Sequence, residues 1–131
     1  MKYAYWLHNV PRIGNIKIQQ LLLETNGAEE IYGLDSHQLK KIGRLTEADV
    51  KAIEESKQKW DVDKEWFKLI EQGIGFVSLE QNEFPEKVRH ISNPPYALYK
   101  RYLFIVVSAC HKAYIGTISR AQRYVIKCRK P

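Results

Sequence analysis

Gly73-Ile74-Gly75-Phe76-Val77-Ser78-Leu79 is where the hydrophobic period of this chain changes. It is a short apolar run rich in β formers, bounded by glycine and polar residues, and it predicts a strand. Upstream, apolar residues recur at helical spacing. Tyr3, Trp6, Leu7 and Val10 follow i, i+3, i+4, i+7, and Pro11 stops that helix because the residue before a proline is pushed out of the α region. Ile16, Ile18, Leu21, Leu22 and Leu23 predict a second helix after Gly14, stopped at Asn26-Gly27. Residues 28–32 predict a short third helix stopped by Gly33. Asp35 or Ser36 caps a fourth, with Leu39 and Ile42 inward and Gly43 closing it. Thr46 caps a longer helix, with Asp49 three residues on as a variant of the capping box and with Val50 and Ile53 on the buried face. Trp60, Val62, Trp66, Phe67 and Ile70 carry the apolar pattern on to Gly73.

Downstream of the strand, Phe84-Pro85 predicts a turn of helix, Pro94-Pro95 breaks it, and residues 96–99 predict a second short strand. The expected fold is therefore α with partial α/β. A small all-α unit covers residues 1–72, and residues 73–99 open an α/β unit. A parallel sheet needs crossover units of roughly 30 residues each. The remaining residues are too few to build one.

Charge divides the chain at about the same place. The 131 residues carry a net charge of +6, yet residues 1–86 hold 11 Lys/Arg against all 15 Asp/Glu, net −4. Residues 87–131 hold 10 Lys/Arg and no acid. The basic excess is C-terminal, so net charge alone gives the helical unit no basic nucleic-acid face. The acid-free tail, residues 100–131, is either a basic arm for nucleic acid or the product of a truncated or frame-shifted gene. No apolar run reaches the roughly 20 residues of a membrane span, the longest being residues 102–110, and the first residues lack a signal-peptide core. A cytoplasmic protein without membrane association is expected. Cys110 and Cys128 have no CxxC partner or nearby histidine ladder, which argues against a disulfide framework or a zinc site.

One motif carries chemistry. Val10-Pro11-Arg12-Ile13-Gly14-Asn15-Ile16-Lys17-Ile18 resembles a helix-hairpin-helix turn, h-P-G-h-G, in which backbone N–H groups at a helix N-terminus face a DNA phosphate. Ile42-Gly43-Arg44-Leu45-Thr46 is a weaker second copy. Arg12, Gly14, Lys17, Gly43 and Arg44 are the candidate DNA-binding residues. Arginine replaces one expected glycine in each copy. A plain interhelical corner accounts for the same pattern, and the negative balance of residues 1–86 favours that reading. Asp61, Asp63 and Glu65 do not share a helix face and read as solvated charges at a helix start. His8, His37, His90 and His111 show no ligand spacing and no paired nucleophile. No catalytic, metal or cofactor site is expected.

Taken together, the stretches before Lys100 resemble the N-terminal part of the DNA-processing protein A family (DprA, also called Smf). The opening Tyr5-Trp6-Leu7 through Val10-Pro11-Arg12-Ile13-Gly14 is similar to the family's start. The more specific match is the strand at residues 73–79 followed by Phe84-Pro85, Val88, Ile91, Pro94-Pro95 and Leu98-Tyr99. The resemblance covers about 99 of the 131 residues. It implies a sterile-α-motif-like or helix-hairpin-helix-like domain over 1–72, then the first strands of a Rossmann-like domain over 73–99. It further implies single-stranded DNA and the RecA recombinase as partners, with DNA protection and RecA loading in natural transformation and recombination. Beyond Tyr99 the pattern departs: Lys100-Arg101-Tyr102 lacks the family's glycine, and Ile118 stands where an arginine belongs. Most of the Rossmann-like domain, with its single-strand, RecA and dimer contacts, falls outside the match. The alternative is a small helical module that docks a protein partner and has no DNA binding of its own.

Overall fold

Pro11 ends the first helix because its ring forbids a helical conformation in the residue before it: α1 (Lys2–Asn9) stops with Val10 extended at φ −61°, ψ 125°. The computed structural model describes residues 1–101 and 123–125. After α1 come α2 (Asn15–Leu23), α3 (Ala28–Gly33), α4 (Ser36–Lys41), α5 (Glu47–Lys59) and α6 (Val62–Glu71). Gly27, at φ 138°, is the N-cap of α3 rather than a stop for α2. Asp35 caps α4 in a reciprocal box with Gln38, and Thr46 caps α5 in the same way with Asp49. Gly43 does not close α4. The last helical turn gives way to an extended Ile42, and the left-handed residue that follows is Arg44.

Between α5 and α6 the chain breaks at Trp60, which is extended at φ −105°, ψ 107°. Asp61 then caps α6, accepting the Lys64 backbone N–H. Asp63 and Glu65 follow in the first turn, where negative charge complements the helix dipole. Val62 and Leu69 face the core. Phe67 and Ile70 do not. They are 61% and 54% exposed, which corrects the apolar face read from their spacing.

After Gly73, at φ 65°, β1 (Ile74–Ser78) runs antiparallel to β2 (Ala97–Arg101), with Phe76 opposite Tyr99. A single turn of helix, α7 (Glu86–Arg89), lies between them, with Pro85 as its N-cap. Residues 123–125 form β3 (Arg123–Val125), antiparallel to β2, so the sheet order is β1-β2-β3. The expectations for Cys110, His111, Ile118 and Cys128 lie outside the described residues. The fold is mostly helical with a small antiparallel sheet, which agrees with an α plus partial β chain. No helix among the described residues is long and apolar enough to cross a membrane.

Alternation along β1 divides its neighbours. Ile74 and Phe76 join the helical core, and Val77 packs with Phe84 and Leu98 in a smaller cluster. Tyr5 of α1 stands at the centre of the aromatic contacts. Its ring centroid lies 5.8 Å from Trp60, 5.9 Å from Trp66, 5.5 Å from Phe76 and 6.3 Å from Tyr99. The helices and the sheet therefore share one core.

Trp6 is fully buried, and its indole N–H finds a partner in Ser56 Oγ at 3.0 Å, tying α1 to α5. Ser56→Ala would strand that buried donor at a cost of about 1–2 kcal/mol. Trp6→Phe is then expected to cost less in the Ser56→Ala background than in the wild type. Urea denaturation of the double-mutant cycle measures the coupling, and strict additivity would contradict it.

Candidate nucleic-acid interface

Two corners of similar sequence, residues 10–14 and 42–46, join helices in this fold. In each, the residue at the first glycine place of the hairpin motif is an arginine in the left-handed region: Arg12 at φ 68° and Arg44 at φ 79°. The backbone has kept the conformation that glycine would supply without strain, at a cost of roughly 1–2 kcal/mol for an L residue. Val10 and Ile13 bury their side chains on either side of Arg12, so the turn presents the arginine outward.

The two corners then diverge. Thr46 and Asp49 cap α5 reciprocally, with Asp49 Oδ2 3.0 Å from the Thr46 N–H and the Thr46 hydroxyl accepting from the Asp49 N–H at 3.2 Å. The start of α5 is therefore filled by its own side chains. Gly14, by contrast, caps α2 with no side-chain hydrogen bond, and the first turn of α2 holds no acid. Its backbone is extended at φ −90°, ψ 178°, and a Cβ there would meet nothing within 4 Å. Neither the backbone nor the space requires glycine here; the absence of a side-chain acceptor is what leaves the N-terminal amides of this nine-residue helix open. A shallow cavity of about 290 Å³ lies there, lined by Arg12, Gly14, Asn15, Ile16, Lys17 and Asn93.

Asp49 connects the corners. Its side chain is fully buried, and both carboxylate oxygens accept from Lys17 Nζ at 2.8 Å. Arg12 Nε stands 3.8 Å from Oδ1. Burial alone would raise the Asp49 carboxyl. The Lys17 hydrogen bond and the Thr46 backbone and hydroxyl outweigh burial and lower it from 3.8 to about 2. Lys17 is thus largely committed to Asp49, with a third of its side chain exposed. The Arg12 side chain is 61% exposed and remains available to solvent. One carboxylate faces two cations, so the corner keeps a positive excess.

Of the sequence-derived site residues, Arg12, Gly14 and Lys17 gather at the open start of α2. Gly43 and Arg44 are exposed beside the filled start of α5. Asp49 entered the sequence reading only as a capping residue. Its ion pair with Lys17, 32 positions away, had no local signal. No group of His, Cys, Asp and Glu side chains suited to a metal ion occurs among the described residues.

Compared with protein-family models, curated proteins and solved structures, the chain matches none.

Two expectations follow. Because Asp49 titrates lower in the folded chain than in the unfolded one, its stabilising effect is complete above about pH 4. It fades as pH falls toward 2. Asp49→Asn is expected to lose about 2 kcal/mol at pH 7, with the gap to wild type closing over that acid window. Denaturant melts at several pH values measure this, and a constant gap would refute it. Arg12→Gly and Arg44→Gly should hold or raise stability by up to about 1 kcal/mol, since relief of the left-handed strain exceeds glycine's unfolded-state entropy. Arg12→Val, β-branched in that region, should lower the melting temperature.

Proposed function

We propose that the chain is a DNA-processing protein of the DprA type, and that its α1–α2 corner holds DNA through the phosphate backbone. Residues 1–72 are read as the sterile-α-motif-like or helix-hairpin-helix-like domain. Residues 73–99 are read as the first strands of a Rossmann-like one. The observation that carries the reading is the open, uncapped start of α2 beside an exposed Arg12. A helix N-terminus offers unpaired amides and a positive dipole end, and the guanidinium adds a charged fork suited to phosphate. Such contacts carry no base information, so binding is sequence-independent and steeply salt-dependent. Single-stranded DNA and RecA as partners, in transformation and recombination, rest on the resemblance of residues 1–99 to the family.

A second reading, docking of a protein partner, is favoured by Phe67 and Ile70, which stand exposed one turn apart on α6. Under it, Phe67→Lys with Ile70→Lys abolishes partner capture and leaves the oligonucleotide titration unchanged.

The test of the leading reading is a titration of the full chain with single-stranded oligonucleotides from 50 to 200 mM salt. Arg12→Ala, at an unchanged melting temperature, is expected to weaken binding several-fold and to reduce the salt slope by about 0.7 for the lost phosphate contact. Binding that is identical in wild type and Arg12→Ala would remove the corner from the interface.

A further inference from the structure

A second cavity, of about 480 Å³, lies on the other side of Arg12, between the C-terminal end of α1, the Pro11 turn and α5. Ala48, Ala52 and Ser56 recur every fourth residue along one stripe of α5 and keep the groove open, while Pro11 and Trp60 add flat apolar surface to its lining. Around this floor stand Arg12, Lys51 and Lys59. The one acid, Glu55, lies between the two lysines, at 3.9 Å from Lys51 and 3.6 Å from Lys59. Both lysines are 78% exposed. The cleft therefore combines a flat apolar interior with a rim whose cations outnumber its acids three to one, and it has the volume of a small-ligand site.

Arg12 lines this cleft and the α2 cavity alike. From this we infer that the cleft takes an unpaired nucleobase of the strand whose phosphate sits at the start of α2, a reading that rests on the phosphate interface proposed above. An aromatic ring held in this cleft against Pro11 and Trp60 is stabilised by stacking and by removal of apolar surface from water. The flanking phosphates meet Arg12, Lys51 and Lys59. A duplex keeps its bases stacked inside and cannot place one there, so the cleft makes the corner selective for single strands.

The experiment holds phosphate constant and varies the base. The full chain is titrated with a dT 12-mer and with a 12-mer of the same length made of abasic residues, following tryptophan fluorescence. The expected result is about tenfold tighter binding of the dT strand, with quenching that is lost in Trp60→Phe. Ala48→Glu puts a carboxylate into the cleft at an exposed second position of α5, where acid suits the helix dipole. It should erase the preference without lowering the melting temperature. A preference that survives Ala48→Glu places the base elsewhere and overturns the inference. Equal affinity for the two strands, with both weakened by Arg12→Ala, overturns the cleft and leaves the phosphate interface standing. No binding of either strand overturns both.

Discussion

A single buried carboxylate sets the geometry on which the site depends. Asp49 has no exposed surface, and a charge in that position persists only when it is paired and hydrogen-bonded. The Thr46 N–H supplies one partner from its own helix, and Lys17 supplies the other from α2. The first fixes where α5 begins, and the second fixes where α2 begins relative to it. The same contact explains why two corners of similar sequence end up with different chemistry. At α5 the carboxylate occupies the helix start. At α2 it holds Lys17, a donor that cannot cap amides, and the Gly14 cap brings no side-chain acceptor of its own.

The left-handed arginines are a related but separate matter. Both Arg12 and Arg44 hold a conformation that costs an L residue roughly 1–2 kcal/mol, and both could be glycine without any clash in the turn. Strain of this kind is retained when the side chain has work that glycine could not do. Arg12 stands between two cavities and beside an uncapped helix. Arg44 shares the backbone geometry but sits against a helix start that is already filled. Both corners therefore share the strain, and only the α2 corner sets it beside an open helix end.

Much of this was legible in the sequence wherever the deciding residues are neighbours. Pro11, Asp35, Thr46 and Gly73 each mark an element boundary through a local effect on φ or on an orphan N–H, and the structure places boundaries at all four. Arg12, Gly14 and Lys17 could be grouped because they lie within six positions of one turn. The break at Trp60 was hidden, since no proline or glycine marks it and Trp60 fits the apolar period. Phe67 and Ile70 were misread for the opposite reason: spacing gives a face, but only packing decides whether that face is covered. The pair of Lys17 and Asp49 and the cleft beside Trp60 join segments more than 30 residues apart, where no local pattern extends.

The segment that follows the helices also bears on the site. Asn15, the first residue of α2, uses its side-chain oxygen to accept the Tyr96 N–H at 3.2 Å, and Gln19 donates to the Pro94 carbonyl at 3.3 Å. Asn93 lines the α2 cavity. The double-proline stretch is thus packed along the opening turn of α2, and Tyr96 is fully buried in the shared core. The side-chain oxygen of Asn15 is thus taken by the Tyr96 N–H, one residue before β2, rather than turned to the amides of its own helix. The start of α2 is therefore shaped by both parts of the chain: its cap carries no side-chain acceptor, and the acceptor of its first residue is held by the Tyr96 N–H.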